Sequence, residues 1–352
     1  MKKLLLLITV FFTIVFTGQA QRRVILHHQG TASMYNTIST AITASAAGDT
    51  IYISAGNFIE NLHINKELTI FGAGHHPTTT AATGITEVSG VIYVRAGAIK
   101  GKIEGVYCDD IDMAGYNASD LTGYTISRCN MRNITLPTTI TFSSSFIVSE
   151  CIFRGNININ NCTTYIFEKN IISTGYVQNA KFGLFSNNIF LHGAVNYQCY
   201  NCAECTLESN IIYYNGTTTA DLLRNCNNIT LHKNLIISNY DYQTNPIADN
   251  TFTSNQIVAA SNGASVFTSW DGSTTIYAYD FDLHLQAPYD AINGDDGTQI
   301  GIYGTKDNLD NPTPYKNNCA PVIPLIEEKT ISRTTNTDGD LPIQFKISAQ
   351  NR

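Results

Sequence analysis

Charge is what this sequence has least of. Only 14% of its 352 residues are Asp, Glu, Lys or Arg, against roughly 25% in an average globular chain. That shortage excludes a coiled coil and a solvated, disordered chain. Basic residues are the scarcer sign, 21 against 28 acidic for a net charge of −7, so the basic surface of a nucleic-acid reader is missing. Long apolar runs are missing too, beyond the amino terminus. The one run, Leu4 to Thr17, is shorter than the ~20 residues a membrane span takes. With Lys2 and Lys3 before it and Gly18-Gln19-Ala20 after it, residues 1–20 read as a signal peptide. The expectation is a secreted or extracytoplasmic protein, at the cell surface or in the periplasm, with no membrane span after cleavage.

Cysteine, by contrast, is present nine times. Disulfide frameworks belong mainly to small exported chains without a core, and this one is long enough to bury a large core. A repeat accounts for the thiols instead. Four ten-residue windows align without gaps, Asn161–Asn170, Asn179–Asn188, Asn201–Asn210 and Asn225–Asn234, each opening and closing on Asn. The closing column extends both ways as Val106, Cys129, Cys151, Asn170, Asn188, Asn210, Asn234 and Asn255, with spacings of 18 to 24. Three residues earlier stand Ile103, Ile126, Val148, Phe167, Phe185, Leu207, Leu231 and Phe252. Two residues later stand Cys108, Met131, Phe153, Ile172, Phe190, Ile212, Ile236 and Ile257. Both columns are apolar throughout, in short segments that alternate with period 2.

A repeat near 21 residues is too short for helical repeats, and the Leu-x-x-Leu-x-Leu pattern is absent. What remains is an all-β solenoid, a single-stranded parallel β-helix whose coils bury their inward faces only by stacking. Asn170, Asn188, Asn210, Asn234 and Asn255 then form a structural ladder. Asn tolerates the left-handed backbone of a sharp bend, and stacked amides ~4.8 Å apart can bond along the stack. Cys162, Cys202 and Cys226 share a small-residue column with Ala180 and read as buried fillers. Cys199-x2-Cys202-x2-Cys205, with His192 nearby, superficially suggests zinc, but Cys202 and Cys205 sit inside the repeat window. Ile38, Ala41, Ile42 and Ala46 predict a short amphipathic helix that caps the open end of the stack. Five of the nine Pro fall in the last 41 residues. The division expected is therefore a β-helix over residues 21–304 and a Pro-rich extension over 305–352 with a terminal strand at Leu341 to Ile347.

The stretch Ile38 to Gly74, IxxAIxxxxxGDTIYIxxGNFxENLxIxKxLTIFGAG, resembles the entry of pectate-lyase-like right-handed β-helix proteins. Phe281 to Gly304 resembles their final coil. The resemblance implies the right-handed sense, which also follows from the general hand of parallel crossovers. It further implies enzymes that set acidic calcium ligands and an Arg or Lys base on one outer sheet, but no such motif carries over residue by residue.

Three candidate sites remain. Arg132, Arg154 and Asp109 share the column three residues after the bend, where an Arg beside a carboxylate suits an acidic sugar or abstraction of a proton next to a uronate. The plainer reading is a surface salt-bridge ladder. Asp109 and Asp112, with Asp110 between them, are the densest acidic cluster, but alternation points Asp110 away from Asp109; no metal or other cofactor is expected, and calcium is the one the pattern would admit. Trp270 and Tyr277, with Tyr279, offer an aromatic platform for sugar rings. His27-His28 and His75-His76 read as turn residues. Thr125, Ile147, Ile166, Leu184, Thr206 and Thr230 point outward, and their partly apolar character implies a cover, for which the C-terminal extension is the candidate. The function expected is a non-catalytic polysaccharide-binding or scaffold protein. The alternatives are a lyase or glycoside hydrolase acting on acidic polysaccharide, and an adhesin.

Overall fold

The structure, a computed structural model, describes residues 22–114, 122–137, 141–160, 162–191, 197–214, 222–242, 247–270, 277–304, 319–321, 323–332, 334–335 and 339–348. Residues 1–20, expected to be a signal peptide, and His192 lie outside these residues. Within them, the short alternating segments form two long sheets. One has twelve strands, running from the opening hairpin through Asp49–Ile53, Leu68–Phe71 and Lys102–Glu104 to Thr230–His232 and Thr251–Thr253. Its neighbours are parallel except at the start, where Val24–His28 runs antiparallel to both Thr31–Tyr35 and Asp49–Ile53. The other sheet has fifteen strands and divides at Asn130–Thr135. One branch continues as Ile152–Phe153, Ile171–Ile172, Ile189–Phe190, Ile211–Tyr213, Leu235–Ile237 and Gln256–Val258. The other continues as Ile157–Asn158, Val177–Gln178, Cys199–Tyr200 and Leu223–Arg224. Each coil therefore presents three faces, and the fold is the parallel β-helix that the repeat predicts. No helix among the described residues is long and apolar enough to cross a membrane.

Both apolar columns stack in register inside the coil. Ile126 pairs with Ile103 and Val148, and Phe167 with Phe185, whose rings stack at 5.3 Å. Met131 pairs with Cys108 and Phe153, and Ile212 with Ile236. The nine Cys are buried free thiols. Burial pushes the Cys108 and Cys151 thiols far above their ordinary pKa, so they pack as small apolar groups.

The closing Asn column takes one of the two roles its spacing suggests, bonding along the stack, and not the other, the left-handed bend. The left-handed residue at this bend stands one position earlier: Arg128, Glu150, Lys169, Asn187, Ser209, Lys233 and Ser254 have φ of 50–55°. The ladder Asn that follows is instead a buried hydrogen-bonding plug. In Asn188, Nδ2 donates to Phe167 O at 2.8 Å and to Asn210 Oδ1 at 3.0 Å, while the backbone N–H also donates to Asn210 Oδ1 at 2.8 Å. Its own Oδ1 accepts from the N–H and Nδ2 of Asn170 at 2.9 and 3.0 Å. The pattern repeats through Asn210, Asn234 and Asn255. Where the column holds Cys, the thiol substitutes, and Cys129 N donates to Cys151 Sγ at 3.4 Å. The opening Asn of three windows does take the left-handed role: Asn179, Asn201 and Asn225 have φ of 52–55°.

The entry is capped as expected by a helix, α1 (Ile38–Ala44), with Ile38, Ala41 and Ile42 buried. The Glu60 carboxylate accepts from the free N–H groups of Ile38 and Ser39, both at 2.9 Å, which suits the positive end of the helix. The apolar stripe ends sooner than its spacing implies. Ser45 is the C-cap and turns extended, so Ser45 is buried and Ala46 exposed.

The other end departs further from expectation. Phe281–Gly304 adds no coil to the stack. Asp282–Leu285 pairs antiparallel with Phe267–Ser269 in a separate two-stranded sheet, and the segment runs back along the outside of the second face as a strap. Asp295 lies 2.6 Å from Lys233, Gly301 N donates to Ser209 O at 2.8 Å, and Tyr277 N donates to Ser173 Oγ at 2.6 Å. Tyr279 OH reaches Asn130 Nδ2 at 2.8 Å and His75 Nδ1 at 2.6 Å. Beneath the strap lies a second apolar cluster built on Ile152, Ile171, Ile189, Ile211 and Leu235. These residues directly follow the bend column and point outward. The covered outer column is thus this one, while Thr125, Ile147, Ile166, Leu184, Thr206 and Thr230 on the first face are only half-buried. Of the C-terminal extension, Ala320 O accepts from Arg128 Nη1 at 3.2 Å, and Leu325–Ile331 forms a hairpin with Ile343–Ser348.

Asn210→Ala is expected to lower stability by about 3 kcal/mol, because it takes the partner from the N–H of Asn188, from one of the two Nδ2 hydrogens of Asn188 and from the carbonyl of Phe185. Asn201→Gly, at an exposed left-handed position, should change it by less than ~0.5 kcal/mol. Urea melts of the two variants check this, and equal losses would contradict the division of labour between the two Asn columns.

His75 lies at a bend between strands, as expected, but inside the protein: it is 1% exposed, and burial, followed by the charges of His76 and Arg154, lowers its pKa to about 3. The unfolded chain takes up that proton near pH 6.5, so stability present above about 6.5 is lost as the pH falls toward 3. At about pH 5 the loss from this group is ~2 kcal/mol. Comparing urea midpoints at neutral pH and at about pH 5 should show a larger drop in the native chain than in His75→Gln; identical drops would exclude His75 as the source.

Candidate functional site: the open third face

Strands of the third face alternate strictly. Leu62, Ile92, Ile111, Ile134, Ile157, Val177, Cys199 and Leu223 point into the core, each no more than 2% exposed. Their neighbours form an outward column, paired rung by rung as His63, Tyr93, Asp112, Thr135, Asn158, Gln178, Tyr200 and Arg224. No aliphatic side chain interrupts it. The contrast with the Ile and Leu column under the strap is complete, because this face has no cover among the described residues and all eight side chains are partly or fully exposed.

A second outward column lies beside it, at the corner with the second face: Asp110, Asn133, Asn156 and Tyr176. Asn133 Nδ2 donates to Asp110 Oδ1 at 2.8 Å, Asn156 N donates to Asn133 Oδ1 at 2.7 Å, and Tyr176 N donates to Asn156 Oδ1 at 3.3 Å. This tight fold of amide onto backbone needs glycine at the corner. A Cβ on Gly155 would stand 2.5 Å from Asn133 Oδ1. Gly175, at φ +85°, would meet the carbonyl of Gly155 at the same distance. Between the two columns runs a groove of about 300 Å³ lined by Tyr93, Asp110, Asp112, Asn133, Thr135, Asn156, Asn158 and Gln178, with Val91 and Ile134.

Aromatic rings stand at both ends of the polar stretch. Tyr93 stacks on His63 at 4.9 Å, and Arg95 lies over its ring at 4.6 Å. At the far end Tyr176, Tyr197 and Tyr200 cluster at centroid separations of 4.6 to 6.5 Å, with Arg224 over Tyr197 at 5.6 Å. The platform expected at Trp270 and Tyr277 is not one. Trp270 is 5% exposed and meets Tyr213 and Phe267 edge-on, and Tyr277 is 9% exposed in the cluster under the strap.

The predicted Arg column keeps its backbone register but not its side-chain arrangement. Asp109 and Asp110 both face out, because the inward residues flanking them, Cys108 and Ile111, are three apart and the strand turns the corner between them. Arg132 therefore pairs with Asp110 and not with Asp109, through Nε to Oδ1 at 3.2 Å and Nη2 to Oδ2 at 2.8 Å. Arg154 turns the other way, donating to Asn130 Oδ1 and Cys108 O, both at 2.7 Å, with its guanidinium over Tyr107 at 4.3 Å. The two guanidiniums diverge instead of stacking.

This arrangement fixes protonation. The hydrogen bond with Asp110, and then its charge, raise the Arg132 pKa above the ordinary Arg value. Burial works to raise the Asp110 pKa, but hydrogen bonds from Arg132 and Asn133 and the Arg132 charge outweigh it and hold the carboxyl below its ordinary value. Arg132 is thus a poor proton acceptor, and Asp110 stays an ionised hydrogen-bond acceptor. Asp112 accepts from Ala114 N at 2.7 Å and lies 3.6 Å from Arg95. Among the described residues no three His, Cys, Asp or Glu side chains converge as a metal site requires, at Asp109 and Asp112 or elsewhere. Cys199, Cys202 and Cys205 are core residues, with Cys202 N donating to Cys226 Sγ at 3.3 Å. No protein-family model, curated protein or solved structure matches this chain.

Arg132 is half exposed, so Arg132→Ala is expected to cost no more than ~1 kcal/mol of stability. A thermal melt checks this; a loss several times larger would show that the pair supports the corner rather than lying on it.

Proposed function

We propose that this chain is an extracytoplasmic, non-catalytic β-helix that binds polysaccharide along its third face. The signal-like residues 1–20 support the location, and the entry sequence Ile38 to Gly74 supports the pectate-lyase-like, right-handed type. The observation that carries the function is the uninterrupted outward column from His63 to Arg224, polar or aromatic at every rung and open to solvent. Amides and hydroxyls at Thr135, Asn158 and Gln178 both donate and accept, which matches the paired hydroxyls of a sugar ring. Tyr176, Tyr197 and Tyr200 supply apolar faces with polar tips, the surface on which a pyranose ring packs. Rungs ~4.8 Å apart lie close to the advance of an extended β-linked glycan, so successive sugars meet equivalent groups.

Catalysis has less support here. A lyase needs a base that can take a proton, and Arg132 holds its own more tightly than a free Arg. A glycosidase needs one carboxyl kept protonated, and Asp110 is held ionised.

Titration calorimetry of the folded protein against soluble polysaccharide fragments tests the reading. Tyr200→Ala and Gln178→Ala are each expected to weaken binding about tenfold, or ~1.4 kcal/mol, while Ile166→Ala on the first face leaves it unchanged. Growth of ultraviolet absorbance on uronate polymers, abolished by Arg132→Ala, would mean β-elimination and overturn the non-catalytic assignment.

A further inference from the structure

We infer that the groove selects neutral glycans and turns uronate polymers away, an inference that rests on the reading of the third face as the binding surface. The argument is an account of charges and of hydrogen-bond donors. Both carboxylates of the groove, Asp110 and Asp112, are fixed in its wall, and Asp109 is exposed beside them. The cations nearby are already engaged. Arg132 is bound two-pronged to Asp110. Arg95 donates to Asp112 O at 2.7 Å and to Val94 O at 3.1 Å, with the Asp112 carboxylate 3.6 Å away. Arg154 has no carboxylate partner, but it is held by Asn130 Oδ1 and Cys108 O, both at 2.7 Å, with its guanidinium over Tyr107. A uronate carboxylate entering here meets wall carboxylates and guanidiniums that already have acceptors.

Arg224 does not change this. It stands four rungs beyond Asp112's neighbour Thr135 in the same column, about 19 Å at ~4.8 Å per rung. That exceeds the ~8 Å over which exposed charges act at physiological salt.

The hydrogen-bonding inventory points the same way. Ionised carboxylates only accept, so Asp110 and Asp112 need donors from the ligand. A 1,4-linked neutral hexose keeps hydroxyl donors at C2, C3 and C6; a uronate replaces the C6 hydroxyl with a carboxylate that only accepts. The mouth of the groove is therefore matched to a ligand rich in hydroxyl groups and without net charge. Binding of such a ligand should be nearly indifferent to salt, because no ion pair forms across the interface.

The test uses the full chain and six defined probes: cellohexaose, xylohexaose, mannohexaose, hexagalacturonate, an alginate hexamer and a chitosan hexamer, each with EDTA and with added calcium. The expected result is binding of at least one neutral hexamer, at least tenfold tighter than either uronate and with a constant that moves less than twofold between low and high salt. Asp112→Asn, which frees Arg95 from its carboxylate, is expected to narrow the gap between neutral and uronate hexamers. Tighter binding of hexagalacturonate or alginate, with or without calcium, overturns the inference alone. So does tighter binding of the chitosan hexamer, which would mean that net charge and not hydroxyl content governs entry. An unchanged gap in a folded Asp112→Asn variant overturns the charge argument. Binding of none of the six overturns the reading of the third face itself, and this inference with it.

Discussion

A chain that coils must turn several times per rung, and at each turn backbone groups fall out of the sheets and need partners. The buried Asn ladder answers that need at the bend between the first and second faces. Each amide saturates a carbonyl of the coil before it and accepts two N–H groups from that same coil, so rung is tied to rung in one direction along the stack. Because the left-handed strain is carried by the preceding residue, the ladder position selects a side chain that fills its space and bonds on both sides. Cys129 and Cys151 show the weaker version, in which a thiol keeps the shape and part of the bonding.

With the bends satisfied from within, the three outer faces are free to differ. From Ile152 to Leu235 the second face is aliphatic and is sealed by the chain's own strap, which locks to it through Ser173, Ser209 and Lys233. The first face is mixed, with Thr at both ends and Ile and Leu in the middle. The third face is polar and aromatic and stays open. A solenoid repeats one backbone, so a difference between its faces reflects what each face contacts. By that standard the third face suits the hydroxyl-rich partner proposed for it, lying along the axis.

Much of the fold was legible from residues at fixed offsets. The two apolar columns and the ladder sit within a few residues of one bend, and no loop of variable length comes between them. The third face was hidden for the opposite reason. In Asn130–Thr135 it follows the second face without a break, whereas nine residues separate Tyr213 from Leu223, so counting forward from the ladder loses the register. Counting back from the opening Asn recovers it, since Gln178, Tyr200 and Arg224 directly precede Asn179, Asn201 and Asn225. The turn at Asp109–Asp110 also left a trace, because the apolar residues Cys108 and Ile111, like Met131 and Ile134, stand three apart where alternation asks for two. Trp270 and Tyr277 could not be placed this way. Their burial comes from contacts with Tyr213 and Ser173, some 60 and 100 residues earlier in the chain, and no local pattern encodes them.

Hydrogen–deuterium exchange of the full chain, alone and with a mixture of cello-, xylo- and mannohexaose, tests the central claim most directly. The account predicts that protection concentrates on the third-face segments 130–135, 157–158, 177–178 and 199–200 and leaves 147–149, 166–168 and 206–208 on the first face unchanged. Protection confined to the first face, or to the strap, would contradict it.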